Sequence, residues 1–222
     1  MNLTLFDLDG TLIPVDSDHA FGGFMVDVGW VDGAVWGAKN DEFFAQYNAG
    51  TLDLPAYIDF ATSAWRSRPL AEAQAMRERF MAEVMTPALR PEARALVEQH
   101  RAAGDLMAVV TATNVFVTEP IAAAFGVEHL IAVDLKRDGA GGYLGEIDGV
   151  PSFREGKIER VENWLRGLGA QWRDFERVTF YSDSTNDLPL LERVSHPVAT
   201  NPSPALAKIA AERGWPQLQL FS

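Results

Sequence analysis

The sequence predicts an α/β fold: a three-layer, Rossmann-like parallel sheet core with an inserted α-helical cap. Short apolar runs typical of buried strands alternate with amphipathic stretches along most of the chain. Polar residues suited to chemistry follow three of these runs, where ligands of such sheets bind. Between the first run and Pro87, helical spacing replaces strand-like alternation. We therefore expect residues 1–14 and 87–222 to form the core and residues 15–86 the cap.

The core elements follow one another as strand and helix. The predicted strands cover residues 3–8, 106–111, 130–135, 178–182 and 198–200. The predicted helices cover residues 92–103, a stretch after 111 that ends near 126, residues 156–168 and residues 187–193. Pro120 is expected in the first turn of its helix or at a kink, and Pro189 in a first turn. Two glycines near Asp138-Gly139 predict a β-hairpin over residues 136–147.

The predicted cap is helical throughout. Phe21, Phe24, Met25 and Val28 recur at helical spacing, and a second such set follows residue 56. Breaks between helices are expected at residues 50–54 and 68–69, where glycine and proline occur.

Composition excludes several functional classes. The 222 residues contain no cysteine, so thiolate nucleophiles, disulfides and cysteine metal sites are ruled out. A formal net charge of −12 disfavours nucleic acid and anionic membranes as partners. The N-terminus does not resemble a signal peptide, and no stretch is long and apolar enough to span a membrane. We expect a cytoplasmic monomer or homodimer that acts on a small molecule.

Four motifs in a fixed order resemble those of the haloacid-dehalogenase-like superfamily. They are Asp7-Leu8-Asp9-Gly10-Thr11-Leu12, Val109-Val110-Thr111, Lys157 and Ser182-Asp183-Ser184-Thr185-Asn186-Asp187. The helical insertion resembles the subgroup that includes phosphoserine phosphatases, and the last motif is most similar to histidinol-phosphatase-like members. The resemblance covers essentially the whole chain, although Ser182 stands where the family usually has glycine, which suggests a tighter loop.

The resemblance implies a magnesium-dependent phosphatase that forms an aspartyl-phosphate. Asp7 would be the nucleophile, and Asp9 would protonate the leaving group and then activate water. The presence of Asp9 favours phosphoryl transfer, since dehalogenases of the superfamily lack this acid. Mg²⁺ would be held by Asp7, the main-chain carbonyl of Asp9 and Asp183.

Further residues receive roles by the same resemblance. Thr111 and the amide of Ala112 would hold a phosphoryl oxygen, Lys157 would neutralise the nucleophile, and Asn186 would bind substrate. Asp187 would be an accessory that orders Lys157 or a metal-bound water. Several of these residues also have a structural alternative. Thr111 could cap a helix, a role for which Thr113 and Asn114 compete, and Asp183 and Asp187 could also be helix caps. Lys157 could be a solvated side chain.

The cap residues bear on the substrate. Phosphoserine phosphatases place an arginine in the region that matches residues 57–62, which contains no basic residue here. Arg66 and Arg68 could replace it only by a shift. Asp16, with Asp18 nearby, occupies the position of an acid that faces a substrate amine. An amine-bearing substrate without a carboxylate, such as histidinol phosphate, would fit.

Several alternatives stay open. Trp30, Trp36 and Trp65 could stack on an imidazole or belong to the cap core, and His19 could contact substrate or lie at the cap surface. The chain could be a phosphoserine phosphatase or a phosphotransferase. A receiver-like phospho-accepting signalling domain also combines aspartates, threonine and lysine, but it carries its acid on a middle strand and lacks a cap.

Overall fold

A computed structural model describes residues 1–221, and its central feature is a six-stranded sheet. In spatial order the strands are β3 (His129–Val133), β2 (Leu106–Asn114), β1 (Leu3–Phe6), β6 (Val178–Ser182), β7 (His196–Thr200) and β8 (Gln217–Leu218). Every neighbouring pair is parallel. The predicted α/β class with a parallel sheet is confirmed, and β8 is an additional edge strand.

Helices cover both faces of the sheet and fill the segment between β1 and β2. They are α1 (Ser17–Asp27), α2 (Ala38–Ala49), α3 (Leu54–Arg66), α4 (Leu70–Phe80), α5 (Thr86–Ala88), α6 (Pro91–Ala102), α7 (Val115–Ala124), α8 (Glu155–Gly167), α9 (Leu188–Arg193) and α10 (Pro204–Arg213). None of the helices in residues 1–221 combines the length and the apolarity needed to cross a membrane.

The alternation of side chains along β1 creates two hydrophobic layers. Leu3 and Leu5 pack with buried residues of α8, α9 and α10 on one face. Phe6 points to the opposite face and packs with residues of α6, α7 and the inserted helices. All four residues of β1 are buried, as expected for a central parallel strand. Packing on both faces therefore fixes β1, and with it the start of the segment that follows Phe6.

The inserted segment is helical, as predicted. Two π-helical turns occur in it, Gly33–Gly37 before α2 and Met81–Met85 between α4 and α5. The second turn makes residues 70–88 one continuous helical run, so helical structure passes through Pro87 and ends at Ala88. The division between core and cap at residues 86 and 87 stays a prediction.

An antiparallel hairpin extends from the core and packs against α3. Its strands are β4 (Leu135–Arg137) and β5 (Tyr143–Ile147), which confirms the predicted excursion. The Tyr143 ring meets the edge of Trp65 with centroids 5.1 Å apart. Gly145 adopts φ +74°, and a Cβ there would lie 1.7 Å from Nη1 of Arg66. Glycine is therefore favoured by the backbone conformation, and a side chain here would displace the Arg66 guanidinium of α3.

Two details around β2 differ from expectation. The strand was predicted to end at Thr111 but continues to Asn114, because its pairing with β3 shifts register after Val110 and accommodates extra residues. Asn114 then caps α7 by accepting from the amide of Val117 at 3.3 Å. Pro120 lies inside α7 rather than in its first turn.

Candidate active site

The carboxyl ends of β1, β2 and β6 bring the main sequence-predicted residues together. The amide of Asp7 donates to the Tyr181 carbonyl at 2.9 Å, which extends the pairing of β1 with β6 by one residue. A cavity at this edge is lined by Asp7, Asp9, Asp16, Asp18, His19, Phe43, Phe44, Tyr47, Leu52, Leu54, Tyr57, Thr111, Ala112 and Thr113. Asp183 lies in an adjoining depression that shares Asp9 and Asp16.

Asp7 is buried and paired with a buried lysine. The ammonium of Lys157 lies 2.8 Å from Oδ1 of Asp7 and 2.7 Å from Oδ1 of Asp187. Burial alone would lower the pKa of Lys157, but Asp187 and Asp7 raise it above its ordinary value, so the ammonium stays charged. Burial raises the pKa of Asp7 to about 7 although Lys157 opposes the shift. With only 1% of its side chain exposed, Lys157 is not the solvated lysine of the alternative interpretation.

Asp9 is oriented by two hydrogen bonds that leave it beside Asp7. The amide of Ser17 donates to its Oδ1 at 2.6 Å, and the hydroxyl of Thr113 donates to its Oδ2 at 2.9 Å. Burial, reinforced by the charge of Asp16, raises the pKa of Asp9 to about 7. A carboxyl group with this pKa exchanges protons near neutral pH, as a general acid and base requires.

Thr111 and Ala112 line the cavity, but Thr111 does not lie at a helix start. Its hydroxyl accepts from the amide of Thr113 at 3.1 Å and lies 3.5 Å from Oδ2 of Asp9. Because Asn114 is the cap of α7, the helix begins four residues beyond Thr111. The expectation of a helix terminus directly behind Thr111 is therefore wrong, and the extended β2 is the reason.

Asp183 approaches Asp7 across Thr11. The Thr11 hydroxyl lies 3.4 Å from Oδ2 of Asp7 and 3.3 Å from Oδ1 of Asp183. Gly10 adopts φ +73°, and a Cβ there would lie 2.4 Å from Oδ2 of Asp183, so only glycine leaves room for this carboxylate. Burial and the charges of Asp7 and Asp187 raise the pKa of Asp183 well above its ordinary value.

This donor set fits Mg²⁺. The buried carboxylate of Asp7 and the half-buried carboxylate of Asp183 repel one another, so a cation between them would be favourable. Within residues 1–221, no group of three or more histidine, aspartate or glutamate side chains has a metal-binding arrangement. Mg²⁺ is usually held by one or two carboxylates and keeps several waters, so two carboxylates and a main-chain carbonyl suffice.

The second aspartate of the last motif is held from two sides. Asp187 accepts from the Ser182 hydroxyl at 2.7 Å and pairs with Lys157. Ser182 therefore orients Asp187, which accounts for a serine where the family usually has glycine. The Asn186 amide donates to the main-chain carbonyl of Tyr47 at 3.1 Å and so contacts α2.

Asp16 and Asp18 form an acidic wall of the cavity. Asp16 caps α1 by accepting from the amide of His19 at 2.8 Å, and burial raises its pKa to about 6. Asp18 is 6% exposed, and burial raises its pKa to about 7. Its Oδ1 accepts from Asn114 at 3.2 Å, whereas its buried Oδ2 has no hydrogen-bond partner among residues 1–221. The phenol of Tyr57 adjoins this carboxyl group and opposes the rise in its pKa.

Helices α2 and α3 add aromatic side chains to the cavity lining, and these were not predicted. Phe43 and Tyr47 come from α2, and Tyr57 comes from α3. Burial and the charges of Asp18 and Asp16 raise the pKa of Tyr57 well above its ordinary value. Tyr57 belongs to the set at helical spacing that follows residue 56, and no motif distinguishes a ring that lines a cavity from one that fills a core.

The arginines and tryptophans considered for substrate binding lie elsewhere. Arg66 pairs with Asp59 at 2.6 Å, and the guanidinium of Arg68 lies 4.1 Å from the Trp30 ring. Trp65 is buried and stacks on Phe116 of α7, and Trp36 stacks on Phe60 of α3. The described residues that line the cavity include no lysine or arginine, and its histidine is His19, whose ring stacks on Phe44 at 4.5 Å.

Comparison with known proteins decides the family. The family model for haloacid dehalogenase-like hydrolases matches residues 4–192. The chain belongs to this family. It is 42% identical over 217 residues to a histidinol-phosphatase of Neisseria meningitidis serogroup C, covering 98% of both chains. The family and this relative together make the protein a phosphatase, as predicted.

Two solved structures share the fold of this chain. A protein of unknown function from Bordetella pertussis Tohama I is 48% identical, with a TM-score of 0.94 and 99% of each chain covered. A substrate-bound phosphoserine phosphatase complex shares 16% identity and a TM-score of 0.69, covering 98% of this chain and 92% of the other. The second likeness shows the common haloacid dehalogenase-like fold alone.

Proposed function

We propose that the protein is a Mg²⁺-dependent phosphatase that hydrolyses a small phosphomonoester through an aspartyl-phosphate on Asp7. The observation that carries this proposal is the pairing of Asp7 with the buried ammonium of Lys157 at 2.8 Å, with Asp9 in the same cavity. The lysine orients one carboxylate oxygen of Asp7 and favours its ionised form, while Asp9 has a pKa near neutrality. These are the two groups that a covalent phosphatase mechanism requires.

The chemistry follows in two steps. A carboxylate oxygen of Asp7 bonds to phosphorus, the ester P–O bond breaks, and the leaving alkoxide takes the proton of Asp9. Asp9, now ionised, accepts a proton from water as that water bonds to phosphorus and the bond to Asp7 breaks. Lys157 stabilises the charge on Asp7, and Thr111 with the Ala112 amide binds a phosphoryl oxygen.

Asp7, Asp183 and the main-chain carbonyl of Asp9 would hold the Mg²⁺. When bound, the ion would supply positive charge that offsets the repulsion between these carboxylates and a phosphate group. The crowding of Asp7 and Asp183 around the Thr11 hydroxyl supports this assignment.

The cavity favours a substrate that carries an amine or imidazole and no carboxylate. Asp16 and the unpartnered oxygen of Asp18 would accept hydrogen bonds from a cationic group. A substrate carboxylate would find no lysine or arginine among the described lining residues. We therefore propose histidinol phosphate as the substrate, which the related Neisseria protein supports, and assign substrate selection to residues 15–86.

A substrate panel with Mg²⁺ tests this proposal. Phosphate release should be fastest from histidinol phosphate, slower from the amine ester phosphoethanolamine, and slowest from phosphoserine, as judged by kcat/KM. Phosphoserine as the best substrate would contradict the assignment. Release that requires an added alcohol acceptor would instead indicate a phosphotransferase.

The nucleophile is tested separately. Asp7→Asn should abolish turnover and the acid-stable mass increase of one phosphoryl group on the peptide that contains residue 7. Asp9→Asn should lower kcat by about 10²- to 10⁴-fold. The exposed Asp27 of α1 provides a control, since Asp27→Asn changes the same charge away from the cavity. Full activity of Asp7→Asn would refute the mechanism.

A further inference from the structure

Tyr47 brings a phenol from α2 to the edge of the catalytic cavity. It lines the cavity that contains Asp7 and also the depression that contains Asp183. Phe44, one helical turn earlier, lines both spaces too, but its ring has no polar atom. Tyr47 is therefore a hydrogen-bonding side chain that the inserted segment places next to both predicted metal-ligand carboxylates.

Asn186 and Arg154, which lie outside the inserted segment, hydrogen-bond to the main chain at the end of α2. The Asn186 amide donates to the Tyr47 carbonyl at 3.1 Å, and the Arg154 guanidinium donates to the Gly50 carbonyl. Gly50 ends α2 with φ +69°, so its carbonyl points away from the helix toward the core. Arg154 also lies 4.8 Å from the ring of Phe153. The end of α2 is thus held against the catalytic residues by hydrogen bonds to the main chain.

The electrostatic surroundings keep Tyr47 neutral. Burial, followed by the charges of Asp7, Asp187 and Asp183, raises the pKa of its phenol well above the ordinary value. The hydroxyl therefore remains a donor over the whole physiological range. A neutral donor beside several carboxylates suits an anionic ligand, because it adds a hydrogen bond without adding negative charge.

We propose that the hydroxyl of Tyr47 binds the phosphoryl group of the substrate, and that Asn186 and Arg154 are positioning residues that hold Tyr47 in place. This inference rests on the proposed phosphatase function. It assigns a phosphoryl contact to the inserted segment, so the same segment would supply both the amine-binding acids and one donor to the phosphate.

Inhibition by inorganic phosphate and by orthovanadate tests the proposal in the Mg²⁺-loaded enzyme. Tyr47→Phe removes one hydroxyl and keeps the ring. A hydrogen bond to a charged group predicts inhibition constants raised by about 10- to 100-fold for both anions. Tyr143→Phe is the matched control, since Tyr143 is a partly buried tyrosine on the hairpin whose hydroxyl bonds to Arg137. Its inhibition constants should stay within about twofold of wild type.

The outcomes separate this inference from the function it rests on. Wild-type protein that neither turns over phosphomonoesters nor binds phosphate would refute the proposed function itself. Wild-type binding with unchanged inhibition constants in Tyr47→Phe would overturn only the role of Tyr47. A fall in kcat/KM of Tyr47→Phe without weaker phosphate and vanadate inhibition would also overturn it.

A double-mutant cycle tests the positioning role. Arg154→Ala should weaken phosphate inhibition in the wild-type background and have little further effect in Tyr47→Phe, because the contact it positions is already lost. Equal effects of Arg154→Ala in the two backgrounds would show that Arg154 does not act through Tyr47.

Discussion

The guanidinium of Arg77 in α4 donates to the main-chain carbonyl of Phe116 in α7 at 2.9 Å. In a regular helix this carbonyl would accept from the amide of residue 120, but residue 120 is proline and has no amide hydrogen. Arg77 replaces the missing donor and lies 4.8 Å from the Phe116 ring. A side chain of α4 thereby supplies the donor that Pro120 cannot provide within α7.

Arg77→Ala should therefore destabilise the protein. The partly buried Phe116 carbonyl would lose its partner, which costs about 1–3 kcal/mol in the free energy of unfolding. Urea denaturation measures this loss. Arg79→Ala on the same helix removes an exposed pair with Glu83 and should cost less than about 1 kcal/mol. Equal losses for the two variants would contradict the role of Arg77.

Lys157→Met should lower stability and activity together. It removes the cation between two buried carboxylates, Asp7 and Asp187, and such a loss costs about 3–5 kcal/mol. The loss should be smaller at pH 5 than at pH 8, since burial raises the pKa of Asp7 to about 7 and protonation of Asp7 removes its unpaired charge. Lys136→Met is the control because its pair with Glu146 is exposed, and urea denaturation at both pH values provides the measurement. A cost that does not depend on pH would contradict this explanation.

Asp18→Asn should stabilise the protein while impairing catalysis. The pKa of Asp18 is about 7 in the folded state and 3.8 for an ordinary aspartate, so ionisation of Asp18 opposes folding. The gain from Asp18→Asn should be absent below pH 4, grow as the pH rises to about 7, and then level off. Unfolding free energies from pH 4 to pH 8 test this, with Asp27→Asn as control.

The same variant discriminates between substrates. Asp18→Asn should lower kcat/KM for phosphoethanolamine and histidinol phosphate, which carry cationic groups, more than for glycerol phosphate, which carries none. Equal losses for all three esters would show that Asp18 does not face the substrate amine.

Gly145→Ala should disturb the contact between the hairpin and α3. Alanine pays about 1–2 kcal/mol for the left-handed conformation at φ +74°. It also displaces the guanidinium of Arg66, which bonds to the Asp59 carbonyl at 2.8 Å and to the Thr62 hydroxyl at 3.0 Å. Gly149→Ala isolates the conformational cost, since φ is +69° and no atom lies within 4 Å of its added Cβ. Thermal denaturation should show the larger loss for Gly145→Ala.

The sheet and the positions of the acidic motifs were predictable because both depend on local pattern. Buried apolar runs mark parallel strands, and the residues after them must meet at one edge of the sheet. This places Asp7, Asp9 and Asp183 near one another without any knowledge of side-chain contacts. Their catalytic and metal-binding roles stay predictions.

The rest of the site depends on contacts between distant segments. The orientation of Asp9 by Thr113 requires the register shift in β2, which has no signature in a single sequence. The contact of Tyr47 with the rest of the site includes a hydrogen bond to its carbonyl from Asn186, which is 139 residues away. Helical spacing predicts that such rings are buried, but not which of them line a cavity.

The packing of Trp65 has a consequence for how the chain can be rearranged. The indole belongs to the inserted segment, yet it stacks on Phe116 at 4.0 Å and meets Tyr143 of the hairpin. Excision of residues 15–86 from the chain would expose this ring to water, so we expect the excised segment to be less stable than the same segment in the whole chain. A chimera that exchanges the inserted helices between relatives should therefore carry the hairpin together with the helices.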